Sequence, residues 1–140
     1  MLLQTLTVGF FVLFTSFVNS LTIGKRVQVP DKDPTLKTLV YKVGLPKAND
    51  KITDSVMWVP ATTQFSAWRI TVMNQGRPYS TWEYSMLLQP SDCPSSNTPA
   101  TDLPGCKPKS SSPKMLCSAT TALFDAEISS AESEVYCRRA

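Results

Sequence analysis

Few residues of this 140-residue chain are equipped for chemistry: four cysteines, eleven carboxylates and no histidine. Without histidine, Ser-His-Asp and Cys-His nucleophilic systems, histidine acid–base pairs and most catalytic zinc sites are out of reach. Paired carboxylates, as in glycoside hydrolysis, need no histidine. Asp125, Glu127, Glu132 and Glu134 supply such candidates, although four acids of this kind more often mean a solvated face. Asp-Thr-Gly and Asp-Ser-Gly do not occur, and the five glycines form neither G-x-G-x-x-G nor a Walker loop. The expectation is a protein that is not an enzyme, with no catalytic residue, no metal and no cofactor; a carboxylate-dependent hydrolase is the rival.

Cys93, Cys106, Cys117 and Cys137 all lie in the C-terminal half. There is no C-x-x-C pair, which argues for disulfides over zinc. Four cysteines allow three pairings, and Cys93–Cys106 with Cys117–Cys137 is favoured because each closes a short local loop. Disulfides require an oxidising compartment, and the N-terminus fits one. Residues 1–20 carry no charge, run apolar through Val8–Phe14 to Val18 and end in Val18-Asn19-Ser20, where a small residue precedes Leu21 and a compact one sits two places earlier, the sizes a signal peptidase accepts. The apolar run is short for a membrane span of ~20 residues. Residues 1–20 are therefore expected to be a cleaved signal peptide, and 21–140 a single secreted domain; an uncleaved signal anchor is the alternative. Lys25-Arg26 is a possible processing site or simply part of the first strand. No Asn-x-Ser/Thr acceptor and no apolar C-terminal tail occur.

The formal charge is +3. Lys25, Lys32, Lys37, Lys42, Lys47 and Lys51 are spread thinly, unlike the clustered basic runs of nucleic-acid binders. Neither nucleic acid nor a membrane anchor is expected as a partner.

Positioning falls to strands. Leu21, Ile23, Val27 and Val29 alternate, as do Leu39, Tyr41 and Val43 before Gly44 and Pro46, and Val56 and Trp58 before Pro60. Trp68, Ile70 and Val72, then Trp82, Tyr84, Met86 and Leu88, alternate on either side of the break Asn74-Gln75-Gly76-Arg77-Pro78, which predicts a β-hairpin. Residues 90–114 hold six prolines and read as a Pro/Ser-rich surface loop tied by a cystine. Residues 115–140 fit a second hairpin better than a helix. The fold class is all-β: an antiparallel sandwich or small barrel of six to eight strands. Ile128 to Cys137 resembles the stretch leading into the second cysteine of an immunoglobulin variable-type domain; that family's partner cysteine lies far upstream, where residues 21–92 contain none.

Trp68, Trp82 and Tyr84 form an aromatic stripe, read as core facing a second sheet; the alternative is a cavity for a small molecule or lipid. Trp58 and Tyr79, outside the stripe, are expected to be exposed contacts, joined by Lys107, Lys109 and Lys114 on the loop. A small exported domain without catalytic groups is expected to recognise an extracellular or host protein.

Overall fold

A computed structural model describes residues 21–110 and 112–140; the expected signal peptide, residues 1–20, lies outside the described residues. Seven strands form one antiparallel sheet, which bears out the all-β class. They are β1 (Leu21–Ile23), β2 (Val27–Gln28), β3 (Val56–Pro60), β4 (Ser66–Asn74), β5 (Arg77–Pro94), β6 (Met115–Phe124) and β7 (Glu132–Arg139). The order is β1-β4-β5-β6-β7, with β2 pairing further along β4 and β3 pairing the far half of β5. The 18-residue β5 is the spine: β4 and β3 follow one another along one of its edges and β6 lies along the other.

The layer opposite the sheet is a helix, over residues 34–52. This corrects the strand reading of Leu39, Tyr41 and Val43. Asp33 caps the helix, its carboxylate accepting from the Thr35 and Leu36 amides at 2.9 and 3.0 Å, and Pro34 occupies the first turn, where its missing N–H costs nothing. Two α-helical stretches, Pro34–Leu39 and Leu45–Ile52, flank a π-turn at Val40–Gly44. Pro46 accounts for the π-turn: it has no N–H for the Lys42 carbonyl, and its ring crowds that carbonyl. The Leu45 amide instead reaches back five residues to Val40. The added residue lets Leu36, Leu39 and Val40 on one side, and Leu45 and Ala48 on the other, stay buried together.

The hairpin turn between β4 and β5 decides which side chains meet the helix. Asn74 pairs with Arg77, so the loop is only Gln75-Gly76. Both residues have positive φ, 52° and 79°, as a type I′ turn requires. Trp68 therefore pairs with Glu83, and Trp82 with Arg69. The expected stripe splits, with Trp82 and Tyr84 on the helix side and Trp68 on the opposite face. The C-terminal hairpin forms as expected, β6 and β7 being joined through positive-φ residues Asp125 and Ala126 and a 3-10 turn at Ile128–Ser130.

Both disulfides take the favoured pairing, Cys93–Cys106 and Cys117–Cys137. Cys117 and Cys137 are cross-strand neighbours on β6 and β7. The immunoglobulin-like stretch thus ends in a bond to the adjacent strand of the same sheet. Among the described residues, no helix is long and apolar enough to cross a membrane.

Candidate binding surfaces

Each sheet strand presents alternate residues to opposite faces, and the two faces here have different fates. Trp82, Tyr84, Met86 and Leu88 of β5 join Cys117, Ala119 and Leu123 of β6 and Val135 of β7 in the core beneath the helix. Tyr84 ends in a hydroxyl chain, 3.0 Å from Thr121 Oγ1, which is 2.9 Å from Ser133 Oγ. Burial raises its phenol above the ordinary tyrosine range. A Cβ on Gly44 would lie 2.7 Å from the Tyr84 hydroxyl, so glycine lets the helix seat on this ring.

The other face is the more open one among the described residues. Every buried residue of β4, β6 and β7 points to the helix side; the opposite side carries half-buried Trp68, Ile70, Val72 and Tyr79 and exposed Phe124 and Tyr136. Phe124 is 50% exposed and Tyr136 77%. Tyr79 and Phe124 are cross-strand partners with ring centroids 4.7 Å apart. The Arg26 guanidinium sits 4.3 Å from the Trp68 ring centroid and 3.1 Å from Glu83.

The sequence-based contact residues do not converge. Tyr79 belongs to the open face. Trp58 is a correction: it is 6% exposed, its indole N–H donating to Asp54 at 2.9 Å and its backbone gripped by the Asn49 side chain at 2.6 and 2.9 Å. Asn49 acts as a surrogate strand neighbour, holding the helix end to β3. The indole bond also draws the Asp54 carboxyl below the usual range. Lys107, Lys109 and Lys114 are exposed, but Lys107 and Lys109 lie beside the far end of β5. About eleven residues of strand separate that end from Tyr79, or about 35 Å at ~3.3 Å per residue.

The 90–114 segment is more ordered than a solvated loop. Its start continues β5, and the Asp92 and Lys109 amides bond Lys107 and Pro90 carbonyls at 3.2 and 2.9 Å. Ser91 bridges Pro108, and the Gln89 amide donates to the Lys109 carbonyl. Cys93–Cys106 then ties down a 3-10 turn, Ala100–Gly105, whose Leu103 is buried.

The carboxylates are scattered. Asp125 is ion-paired to Arg77 at 2.7 Å, and Glu132 and Glu134 are exposed on β7. The ring of Trp68 lies on the opposite face of the sheet from those of Trp82 and Tyr84, so the three rings do not form one aromatic wall. The chain matches no known protein family, and no curated protein or solved structure resembles it significantly.

Proposed function

We propose that this chain is a secreted, non-enzymatic recognition module that docks an extracellular protein on the open face of its sheet. The observation that carries the reading is one-sided burial: β4, β6 and β7 send their buried residues to the helix and leave Trp68, Tyr79, Phe124 and Tyr136 on a face that no core residue of these strands occupies. Aromatic residues and arginine dominate the contact energy of protein interfaces. Exposed apolar surface bordered by polar groups marks such sites: Trp68, Ile70 and Val72 run along β4 to the Tyr79–Phe124 pair, and Glu83, Thr120 and Glu134 border this run and part it from Tyr136. Two disulfides and an apolar N-terminus support the extracellular setting.

The test is capture from extracellular fluid or cell surfaces by three immobilised proteins. One is the wild type, one carries Trp68→Ser and Tyr136→Ser, and one carries Lys107→Glu, Lys109→Glu and Lys114→Glu. A partner kept by the lysine variant and lost by the aromatic variant supports the open face. The converse result moves recognition to the cystine-tied loop and overturns the proposal.

A further inference from the structure

Between the 34–52 helix and the Ala100–Gly105 turn lies a cleft of about 750 Å³, within the range of about 300–1,000 Å³ common for small-molecule sites. Its walls are largely carbon, from Pro34 and Tyr41 on the helix and Ala100 and Pro104 on the turn. The charged side chains lining it, among the described residues, are Lys37 and Lys42, both positive. Neither takes part in the ion pairs of the described residues, Arg26–Glu83 and Arg77–Asp125.

Both walls are fixed in place. Tyr41 and Lys42 belong to the π-turn that Pro46 imposes, a departure from regular helix of the kind often found at ligand sites. The opposite wall is held by the Cys93–Cys106 bond and by Leu103, 1% exposed beneath the turn. Tyr41 is an apolar wall with a hydrogen-bonding tip, and burial raises its phenol above the ordinary tyrosine range. A second hollow of about 400 Å³ shares Tyr41 and Lys37 and continues the groove to Phe65.

We propose that this cleft binds a small amphipathic anion, free in solution, with its apolar body against Tyr41, Pro34, Ala100 and Pro104 and one carboxylate or sulfonate head at Lys37 and Lys42. The apolar walls supply non-directional affinity, and two lining lysines that make no ion pair among the described residues select a negative head over a neutral one. This site lies on the helix side of the molecule and is independent of protein docking on the open face.

Fluorescence titration with 8-anilinonaphthalene-1-sulfonate tests it on the protein with both disulfides formed, with uncharged N-phenyl-1-naphthylamine as the comparison. Saturable binding of the sulfonate is expected, with displacement by laurate. Lys37→Gln with Lys42→Gln should weaken the sulfonate by roughly five- to tenfold, the sum of two exposed charge contacts, and leave the neutral probe nearly unchanged. Ala100→Trp fills the cleft from an exposed position and should abolish binding of both probes, whereas Trp68→Ser should change neither. Absence of saturable sulfonate binding overturns the proposal, as does binding indifferent to Ala100→Trp or lost with Trp68→Ser. If the lysine variant folds poorly, Ala100→Trp decides alone.

Discussion

The two faces of the β4–β5 hairpin are built from the same residue types and end in opposite environments. One presents Trp82 and Tyr84, the other Trp68 and Tyr79, and each places an arginine over its tryptophan: Arg69 at 5.4 Å from Trp82, Arg26 at 4.3 Å from Trp68. Trp82 is 3% exposed, within the core cluster that includes the buried helix residues; Trp68 is half-buried, with Arg26 over its ring. Composition did not decide between core and surface. The two-residue turn at Gln75-Gly76 did, because in such a hairpin paired residues have numbers of opposite parity and share a face. A three-residue loop in this same sequence, which slips the register by one, would have put Trp68 and Trp82 on the same side.

Truncation should separate the faces most sharply. Trp82→Ala empties a packed site and is expected to cost about 3–5 kcal/mol in a denaturant titration, while Trp68→Ala should cost under about 1.5 kcal/mol. Trp58→Ala is expected to behave like Trp82→Ala, since its ring is buried and its indole N–H is bonded to Asp54. Equal losses at Trp68 and Trp82 would mean the open face is covered in the folded protein, and the docking proposal would fail with it.

Gly44→Ala probes how closely the helix is seated. At an ordinary helical position alanine is favoured over glycine by up to about 1 kcal/mol, and the φ of −69° here suits alanine. The new methyl would nevertheless meet the Tyr84 ring at 2.7–2.8 Å. Tyr84 is buried and hydrogen-bonded, so it has little room to retreat, and a net loss of about 1–2 kcal/mol is expected from overpacking. A stabilised variant in thermal unfolding would show that the helix can lift from the sheet without cost.

The helix itself was written in the chain, though in broken form. Asp33-Pro34 is a start signal, and Leu36, Leu39 and Val40 keep helical spacing. The π-turn then shifts the apolar face by one residue, to Leu45 and Ala48, which breaks the period and leaves Leu39, Tyr41 and Val43 looking like a strand. The cysteine pairing was legible because short local loops closed on adjacent backbone. Trp58 was misread because burial of β3 comes from Asn49 and the helix end, contacts that no local pattern announces. Tyr79 was expected to be an exposed contact because it lies outside the core stripe; it is half-buried on the open face, beside Phe124 of β6, more than forty residues away in sequence. The cleft at Tyr41 had no signal, because one wall is helix and the other is the cystine-tied turn.

The smallest effect, and the most discriminating one, concerns the two arginines. Arg26 and Glu83 are about half exposed, at 51% and 47%; an exposed ion pair contributes about 0–1 kcal/mol and an exposed cation–π contact about 0.5–1 kcal/mol. Arg26→Ala should therefore lower stability by about 1 kcal/mol or less, with part of that loss disappearing in high salt as the ion pair is screened. Arg69→Ala removes the guanidinium over the buried Trp82 ring and should cost somewhat more, with little response to salt because Arg69 is in neither ion pair of the described residues. Binding should reverse the order. Arginine beside a tryptophan is a preferred interface anchor, so Arg26→Ala should weaken the captured partner by about tenfold, equivalent to about 1.4 kcal/mol, while Arg69→Ala leaves affinity unchanged. Both quantities come from one pair of proteins, by denaturant titration and by equilibrium binding to the partner. If Arg26→Ala binds as well as wild type, the Arg26–Trp68 stack serves only the sheet edge, and the contact must centre on Tyr79, Phe124 and Tyr136 instead.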